Sequence, residues 1–366
     1  MTYTWQSPLG EHKLTITTDD NSLRPWDSGD EYLLEQLKDY PDSRRILIIN
    51  DNFGALGTAL GERSTISWND SYCARESINA NITAAKAALP NFSGTVNNEK
   101  IDADLVLMKI PKSNGMFEYQ LEKIRLRVPA GTPILAAAHS RNLPPSFFES
   151  FENHTENAAY SRIWKKARFY SGKTKGSAGL SPQETIILKW EDLNITALPG
   201  VFSQSRIDPG TQFLLEHFPR VNAPEKIIDP GCGAGVLALA AALNWPEASI
   251  TATDDSAIAV ESTRISAEAN GFGQRIETIH TDILKGIENE SADLVICNPP
   301  FHQQQRVSVE SGLGFLRESA RVLKKGGQLF IVANRHLGYQ SELERLFEGA
   351  ITIAQNKQYH IFMCRK

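Results

Sequence analysis

At 366 residues, with 41% apolar and 22% charged side chains and a formal net charge of −5, the chain has the composition of an ordinary soluble protein too long for one core. No apolar run approaches the roughly 20 residues that cross a bilayer, and the opening Met1-Thr-Tyr-Thr-Trp-Gln lacks the blocks of a signal peptide. Cys73, Cys232, Cys297 and Cys364 have no metal-ligand spacing, so neither a metal site nor a disulfide framework is expected and a reducing cytoplasm fits.

In the first half, Ile46-Leu-Ile-Ile-Asn-Asp-Asn-Phe-Gly-Ala-Leu predicts a buried strand, a turn and a helix. A strand ending in an acid follows at Ser67-Trp-Asn-Asp, and a buried strand at Asp104-Leu-Val-Leu-Met-Lys-Ile-Pro. Short β-branched runs alternating with helical patterns indicate α/β units around a largely parallel sheet. Between Arg162 and Lys175 stand six cations (Arg162, Lys165, Lys166, Arg168, Lys173, Lys175) and no acid, interleaved with Trp164, Phe169 and Tyr170. Because neither half of the chain is basic overall, any nucleic acid would have to be held by a local patch such as this one. Cations suit phosphates and aromatics suit unstacked bases; the segment reads equally well as a solvated strand followed by a linker. The glycine-rich run Gly172-Lys-Thr-Lys-Gly-Ser-Ala-Gly-Leu-Ser-Pro-Gln places the linker at 171–183, between units at 1–170 and 184–366.

The second half opens with Leu198-Pro-Gly-Val-Phe202-Ser and Asp208-Pro-Gly-Thr211-Gln-Phe-Leu-Leu. Phe202 is expected to cover a site as a lid, and Thr211 to stand in a helix start over one end of a cofactor. Residues 226–235 read as a strand ending in Asp229, then Pro230-Gly231-Cys-Gly233-Ala-Gly235, then a helix. A glycine turn after a first strand lets the backbone approach a nucleotide, with the helix N-terminus behind it. The spacing is G-x-G-x-G rather than the dinucleotide G-x-G-x-x-G, and the preceding acid would repel pyrophosphate while suiting the cationic methionine end of S-adenosylmethionine. Asp254 ends a second strand, where a carboxylate can accept both ribose hydroxyls, as it also does in NAD folds. Asp282, in Ile279-His-Thr-Asp, could receive an adenine amino group, although a strand-terminal Asp is often a simple helix cap.

Ala292-Asp-Leu-Val-Ile-Cys-Asn298-Pro299-Pro300-Phe301 is the most specific feature of the chain. It runs a buried strand into Asn-Pro-Pro-aromatic at the end where open α/β sheets place their ligands. An exocyclic amine on a base is nearly planar and poorly nucleophilic, its lone pair being delocalised into the ring. The Asn298 oxygen and the Pro299 carbonyl can accept its two hydrogens, aligning the nitrogen with a methyl donor. Proline fixes the carbonyl direction, Phe301 offers a face for stacking, and His302 could relay the proton.

The halves echo each other. Residues 46–56 match 226–236, Ser67-Trp-Asn-Asp matches Thr251-Ala-Thr-Asp, and 104–111 match 293–300 in the same order. Where the second half has Gly231, Gly233 and Gly235, the first is aligned with Asn52, Gly54 and Leu56; where the second has Asn298-Pro-Pro-Phe, the first has Lys109-Ile-Pro-Lys. The expected fold is therefore two tandem Rossmann-like α/β domains, the N-terminal one a degenerate, non-catalytic copy.

Taken together, Asp229, the three glycines, Asp254, Asp282 and Asn298-Pro-Pro-Phe resemble class I methyltransferases acting on amino nitrogens. Phe after the prolines is typical of ribosomal RNA guanine-N2 enzymes, which also carry a degenerate N-terminal methyltransferase domain. Adenine-N6 and glutamine-amide enzymes tend to have Tyr or Trp there. Trp26-Asp-Ser-Gly-Asp-Glu-Tyr-Leu-Leu, Ile49-Asn-Asp-Asn-Phe-Gly-Ala-Leu, Trp164-Lys-Lys-Ala-Arg168, Pro300-Phe-His-Gln-Gln and Ile331-Val-Ala-Asn-Arg-His-Leu-Gly-Tyr resemble the large-subunit (23S) branch of the RsmC/RlmG-type family. The resemblance implies S-adenosylmethionine as cofactor, 23S ribosomal RNA as partner and N2-methylguanosine as product; on composition and cysteine spacing no membrane or metal partner is expected, and the oligomeric state stays open, a monomer sufficing. The cation-rich segment offers Lys165, Lys166 and Arg168 as contacts to that RNA. Small-subunit (16S) RNA and a protein glutamine amide stay open as substrates, and so does a non-catalytic RNA-binding or assembly role. Pro230 departs from the aliphatic residue usual in the family.

Overall fold

The computed structural model describes residues 1–16, 23–180, 185–218, 221, 223–299 and 309–366, for 309–311 the backbone alone. The chain forms two compact units, Met1–Glu184 and Thr185–Lys366.

The first unit begins with a hairpin, β1 (Thr2–Ser7) and β2 (Gly10–Thr15), then α1 (Ser28–Gln36), β3 (Arg45–Ile49), α2 (Ala55–Leu60) and β4 (Ser64–Trp68). It continues through α3 (Tyr72–Ala84), β5 (Asn91–Ser93), β6 (Leu105–Lys109), α4 (Asn114–Arg127), β7 (Pro133–His139), α5 (Pro145–His154), β8 (Thr155–Tyr160) and β9 (Ala167–Thr174). The second unit again opens on a hairpin, β10 (Ile186–Trp190) and β11 (Leu193–Ala197), followed by α6 (Pro209–Glu216), β12 (Lys226–Pro230), α7 (Val236–Asn244) and β13 (Ser249–Asp254). After α8 (Ala257–Ala269) come β14 (Ile276–His280), β15 (Ala292–Cys297), α9 (Val309–Val322), β16 (Leu323–Asn334), α10 (Gln340–Leu346), β17 (Gly349–Gln355) and β18 (Tyr359–Arg365).

The two seven-stranded sheets have one topology, β5-β4-β3-β6-β7-β9-β8 and β14-β13-β12-β15-β16-β18-β17. In each, the central strands are parallel and the next-to-last strand runs antiparallel to both neighbours. Helices cover both faces, so the central strands are apolar without a break: Ile46 to Ile49 and Leu294 to Cys297 are buried throughout. Alternate residues serve opposite cores. Leu47, Ile49, Val106 and Met108 join one cluster, whereas Ile46, Ile48, Leu105 and Leu107 join the other, together with Trp5 and Leu14 from the hairpin. Among the described residues no helix is long and apolar enough to cross a membrane.

Ladder register corrects the alignment of the copies. Asn50 and Gly231 each donate a backbone N–H to the carbonyl of the neighbouring strand (Trp68 at 3.1 Å, Thr253 at 2.8 Å), and both have positive φ (63° and 75°). Gly54 and Gly235 each precede the next helix in the left-handed region, at φ 76° and 88°. Gly231, Gly233 and Gly235 therefore correspond to Asn50, Asn52 and Gly54, two residues away from the match made on glycine positions. Only the last glycine is shared, because only there do two helices come too close for a side chain. A Cβ on Gly235 would lie 2.9 Å from Thr263 Cγ2 and 3.2 Å from Thr263 Cα; on Gly54 it would lie 3.1 Å from Ile78 Cα. Pro230 is the buried last residue of β12, paired with Thr253, and Gly231 beyond it supplies the N–H to that strand.

The expected linker is also corrected. β9 extends to Thr174, so residues 171–174 are strand. Lys175 then caps the end of α5 by donating to the carbonyls of Glu152 and Asn153, both at 2.9 Å, and Arg125 donates to those of Gly176 and Ala178. The chain is thus bonded to the first unit as far as Ala178; residues 181–184 lie outside the described set.

Gly235→Ala combines left-handed backbone strain with a collision against Thr263, and should cost about 2–4 kcal/mol. Gly271→Ala, at φ 77° in open space, should cost about 1 kcal/mol. Denaturant unfolding of the two variants, compared with wild type, measures the difference.

Candidate active site

The sequence-predicted residues of the second unit gather at the C-terminal ends of the parallel strands, around the point where the chain leaves β12 toward β13 on one side and β15 on the other. Asp229 is the penultimate residue of β12, the glycine turn follows it, Asp254 ends β13, and Asn298 follows β15 directly. This crevice is where open parallel sheets bind their ligands.

Asn298 is the best-determined group. Its Nδ2 donates to Asp208 Oδ2 at 3.0 Å and to Thr211 Oγ1 at 2.7 Å. Asp208 is the N-cap of α6, and its carboxylate also receives the N–H groups of Gly210 and Thr211 at 2.9 and 3.1 Å. An ionised carboxylate only accepts, so the amide can present only its NH2 to that side. The opposite atom, Asn298 Oδ1, is buried and has no partner. A buried acceptor left open costs free energy unless something supplies a donor. Thr211, expected at the end of a cofactor, thus gives its hydroxyl oxygen to Asn298. Asp208, read from the sequence only as a helix start, is the residue that orients the amide; its signal was an N-cap Asp before Pro-Gly, identical in form to an ordinary cap.

Asp229 is 2% exposed. Its Oδ2 accepts the Ala238 N–H at 3.0 Å in the first turn of α7, while Oδ1 is buried without a partner. Burial is the main cause that raises its pKa to about 7; the charge of Asp254 adds to the rise and the Ala238 N–H opposes it. Asp254 receives the Gly233 N–H on Oδ2 at 3.0 Å and the Ser256 N–H on Oδ1 at 2.9 Å. Gly233 has φ 56° and faces open space, with no atom within 4 Å of where a Cβ would stand. The turn is therefore an open cradle between two carboxylates.

The remaining expected residues are dispersed. Asp282 lies two residues beyond β14 and is exposed. Phe202 stands 70% exposed beyond β11. Pro299 is buried next to Asn298, whereas Pro300, Phe301 and His302 lie outside the described residues. Lys165, Lys166 and Arg168 belong to the first unit. Lys165 and Lys166 form a two-residue turn at φ 43° and 69°, closed by reciprocal bonds between Trp164 and Ala167 at 2.9 and 2.8 Å. Such turns normally use Asn-Gly, because both central residues need positive φ. Lys165 pairs with Glu31 at 2.7 Å, Arg168 lies over the Tyr160 ring, and Lys166 is exposed.

Within the first unit the equivalent crevice is filled by that unit's own side chains. Lys109, at the position of Asn298, donates to Asp27 at 2.6 Å and Asp30 at 2.7 Å, the counterparts of Asp208 and Thr211. Burial alone would depress the Lys109 pKa, but the two carboxylates outweigh it and hold the amine charged. In the turn, Asp51 satisfies both oxygens on the N–H groups of Ala55 and Gly57 at 2.8 and 2.9 Å, and Asn50 is bonded through both side-chain atoms to Gln120.

Residues 6–176 match the RLMG N-terminal domain and residues 192–363 the methyltransferase small domain. The chain is 34% identical over 378 residues to ribosomal RNA large subunit methyltransferase G of Pseudoalteromonas translucida, covering 99% of this chain and 98% of that protein. It is 35% identical over 350 residues to the protein of the same name from Aliivibrio salmonicida, covering 93% and 91%. Among solved structures it is similar to a T. thermophilus 16S rRNA N2 methyltransferase, RsmC, in complex with AdoMet and guanosine. That similarity has a TM-score of 0.80 at 21% identity and covers 100% of this chain and 98% of that one; it shows a shared fold.

The raised Asp229 pKa gives a signed expectation. A carboxyl that binds its proton more tightly when folded contributes stability in acid, and that contribution is lost as pH rises through about 7. Between pH 5 and pH 8 the melting temperature of the ligand-free protein should therefore fall more steeply for wild type than for Asp229→Asn. A ligand whose cationic end meets this carboxylate should bind more tightly over the same interval, and calorimetric titration across it measures the trend.

Proposed function

The chain belongs to the ribosomal RNA large subunit methyltransferase G family, and on that premise we propose that it transfers a methyl group from S-adenosylmethionine to the exocyclic N2 of a guanine in large-subunit (23S) ribosomal RNA. The observation that carries the reading is the fixed amide of Asn298, whose buried oxygen is the one unsatisfied acceptor of its side chain.

The cradle fits the cofactor. Asp229 offers a buried, unpartnered oxygen to a cationic methionyl end, the turn at Gly231, Gly233 and Gly235 gives the room a nucleoside needs, and Asp254 accepts ribose hydroxyls. Bound there, the cofactor supplies an electrophilic methyl group on a sulfonium. Asn298 Oδ1 accepts one hydrogen of the exocyclic amine, and the Pro299 carbonyl accepts the other. With both hydrogens held, the nitrogen lone pair is directed at the methyl group and the positive charge that develops on nitrogen is stabilised. The proton becomes acidic once the methyl has transferred, so no strong base is required. Phe301 gives the base a stacking face and His302 a path for the proton. Asp208 and Thr211 act one step back, keeping the acceptor of Asn298 turned toward the amine.

Guanine-N2 is favoured over a glutamine amide by the Phe at 301 and by the cation-rich hairpin tip of the first unit. Transfer of a labelled methyl group to unmodified 23S RNA, with 16S RNA and a release factor in parallel, tests the substrate. N2-methylguanosine is expected in 23S RNA alone, and Asn298→Ala should slow its formation by about 10²–10³ while leaving cofactor affinity unchanged. Label in 16S RNA or in a protein amide overturns the large-subunit assignment.

Replacing Lys165, Lys166 and Arg168 together with Ala should weaken RNA binding and reduce the slope of log affinity against log salt by about 0.7–0.9 for each lost phosphate contact. An unchanged affinity and slope removes these residues from the RNA surface.

A further inference from the structure

We propose that Tyr359 is a substrate-positioning residue whose ring holds the target base against Asn298. The inference deepens the base-methylating reading above and rests on it.

The location comes from Gly210. A Cβ placed there would lie 3.5 Å from Asn298 Oδ1 and 3.3 Å from Tyr359 Cε1. The open acceptor of the amide and the edge of the tyrosine ring therefore border one small gap. The ring is held from behind. Phe213 of α6 lies against it with centroids 6.4 Å apart. Its backbone is fixed where β18 begins: the Tyr359 N–H donates to Asn356 Oδ1 at 2.8 Å and its carbonyl accepts from the Asn356 N–H at 2.9 Å. Register with β16 pairs Tyr359 with Asn334. Burial, with the nearby Asp208 charge, raises the phenol pKa, as expected for a ring beside the cap that orients Asn298.

The first unit supplies the control. There His139 pairs with Ala167 at the equivalent register, so Ala167 occupies the position of Tyr359. The equivalent glycine, Gly29, would meet Lys109 Cε and Nζ at 3.5 Å, with no ring among its nearest atoms. α1 still packs on β9 there. α1 is seated there by Tyr32 against Phe169, two residues along the strand, with ring centroids 4.8 Å apart. At the position itself Ala167 puts no ring beside Lys109, whereas Tyr359 borders the open amide of Asn298. A ring edge beside a hydrogen-bond acceptor gives a flipped-out base an apolar contact next to the atom that accepts its amine hydrogen.

The test is steady-state methyl transfer to 23S RNA by Tyr359→Ala and Tyr359→Phe, with cofactor affinity measured by calorimetry and folding by melting temperature. Loss of the ring should lower kcat/KM for RNA by about tenfold or more in the Ala variant. The Phe variant should stay within about threefold of wild type, and cofactor affinity should not change in either. An Ala variant that matches wild type overturns the inference, as does one whose cofactor affinity falls as far as its kcat/KM. If wild type modifies 16S RNA or a protein amide instead, the large-subunit reading fails. The same series is then run on that acceptor, where a wild-type-like Ala variant overturns the role of Tyr359 separately.

Discussion

In both halves of the chain a side chain at the end of the central strand is tied to the N-cap of a helix, and the choice of partners decides what the crevice can offer. In the second unit the pair is an amide and a carboxylate: Asp208 takes one end of Asn298, Thr211 joins it, and the other end is left open. In the first unit the pair is an ammonium and two carboxylates, Lys109 with Asp27 and Asp30. An ammonium has donors only, so the side chain at the position of Asn298 offers no acceptor to a ligand. One scaffold therefore yields a poised hydrogen-bond acceptor in one copy and a closed ion cluster in the other.

The glycine turns follow the same logic. Asp229 reaches the first turn of α7 from the strand, spends one oxygen on Ala238 and leaves the other buried and open. Asp51 reaches the equivalent helix from within the turn and spends both oxygens there. A buried carboxylate with a vacant oxygen is costly to a protein standing alone, which is reasonable only where a cationic ligand completes it. The open oxygen of Asp229, the charge of Asp254 near it and the openness at Gly233 occur together at the C-terminal ends of β12 and β13.

Much of this was legible in the sequence. Strand-end acids, a glycine turn and Asn-Pro-Pro after an apolar run are local signals, and Asp229, Asp254 and Asn298 stand where those signals put them. What escaped is non-local. The bond from Asp208 to Asn298 spans 90 residues, and Asp-Pro-Gly before a helix carries no mark that distinguishes a cap with a second duty. Glycine positions suggest one alignment of the copies, yet backbone register is set by hydrogen bonding, and Asn50 adopts the positive φ that Gly231 adopts. The end of β9 was read as linker because Gly172-Lys-Thr looks like one; pairing with β7 and β8 makes it a strand.

The Lys109 cluster also bears on the history of the chain. To present an open amide like that of Asn298, the first unit would have to replace Lys109, Asp27 and Asp30 in concert. Lys109→Asn alone would strand Asp30, whose side chain is 6% exposed, beside a second carboxylate with no counter-ion. Replacing Asp30 alone would leave the buried ammonium short of a partner. Each single step breaks a buried pair, which destabilises by about 3–5 kcal/mol, a large share of the margin of a typical domain. Such a cluster works as a ratchet: an open amide at this position is separated from the present sequence by single substitutions that fold poorly.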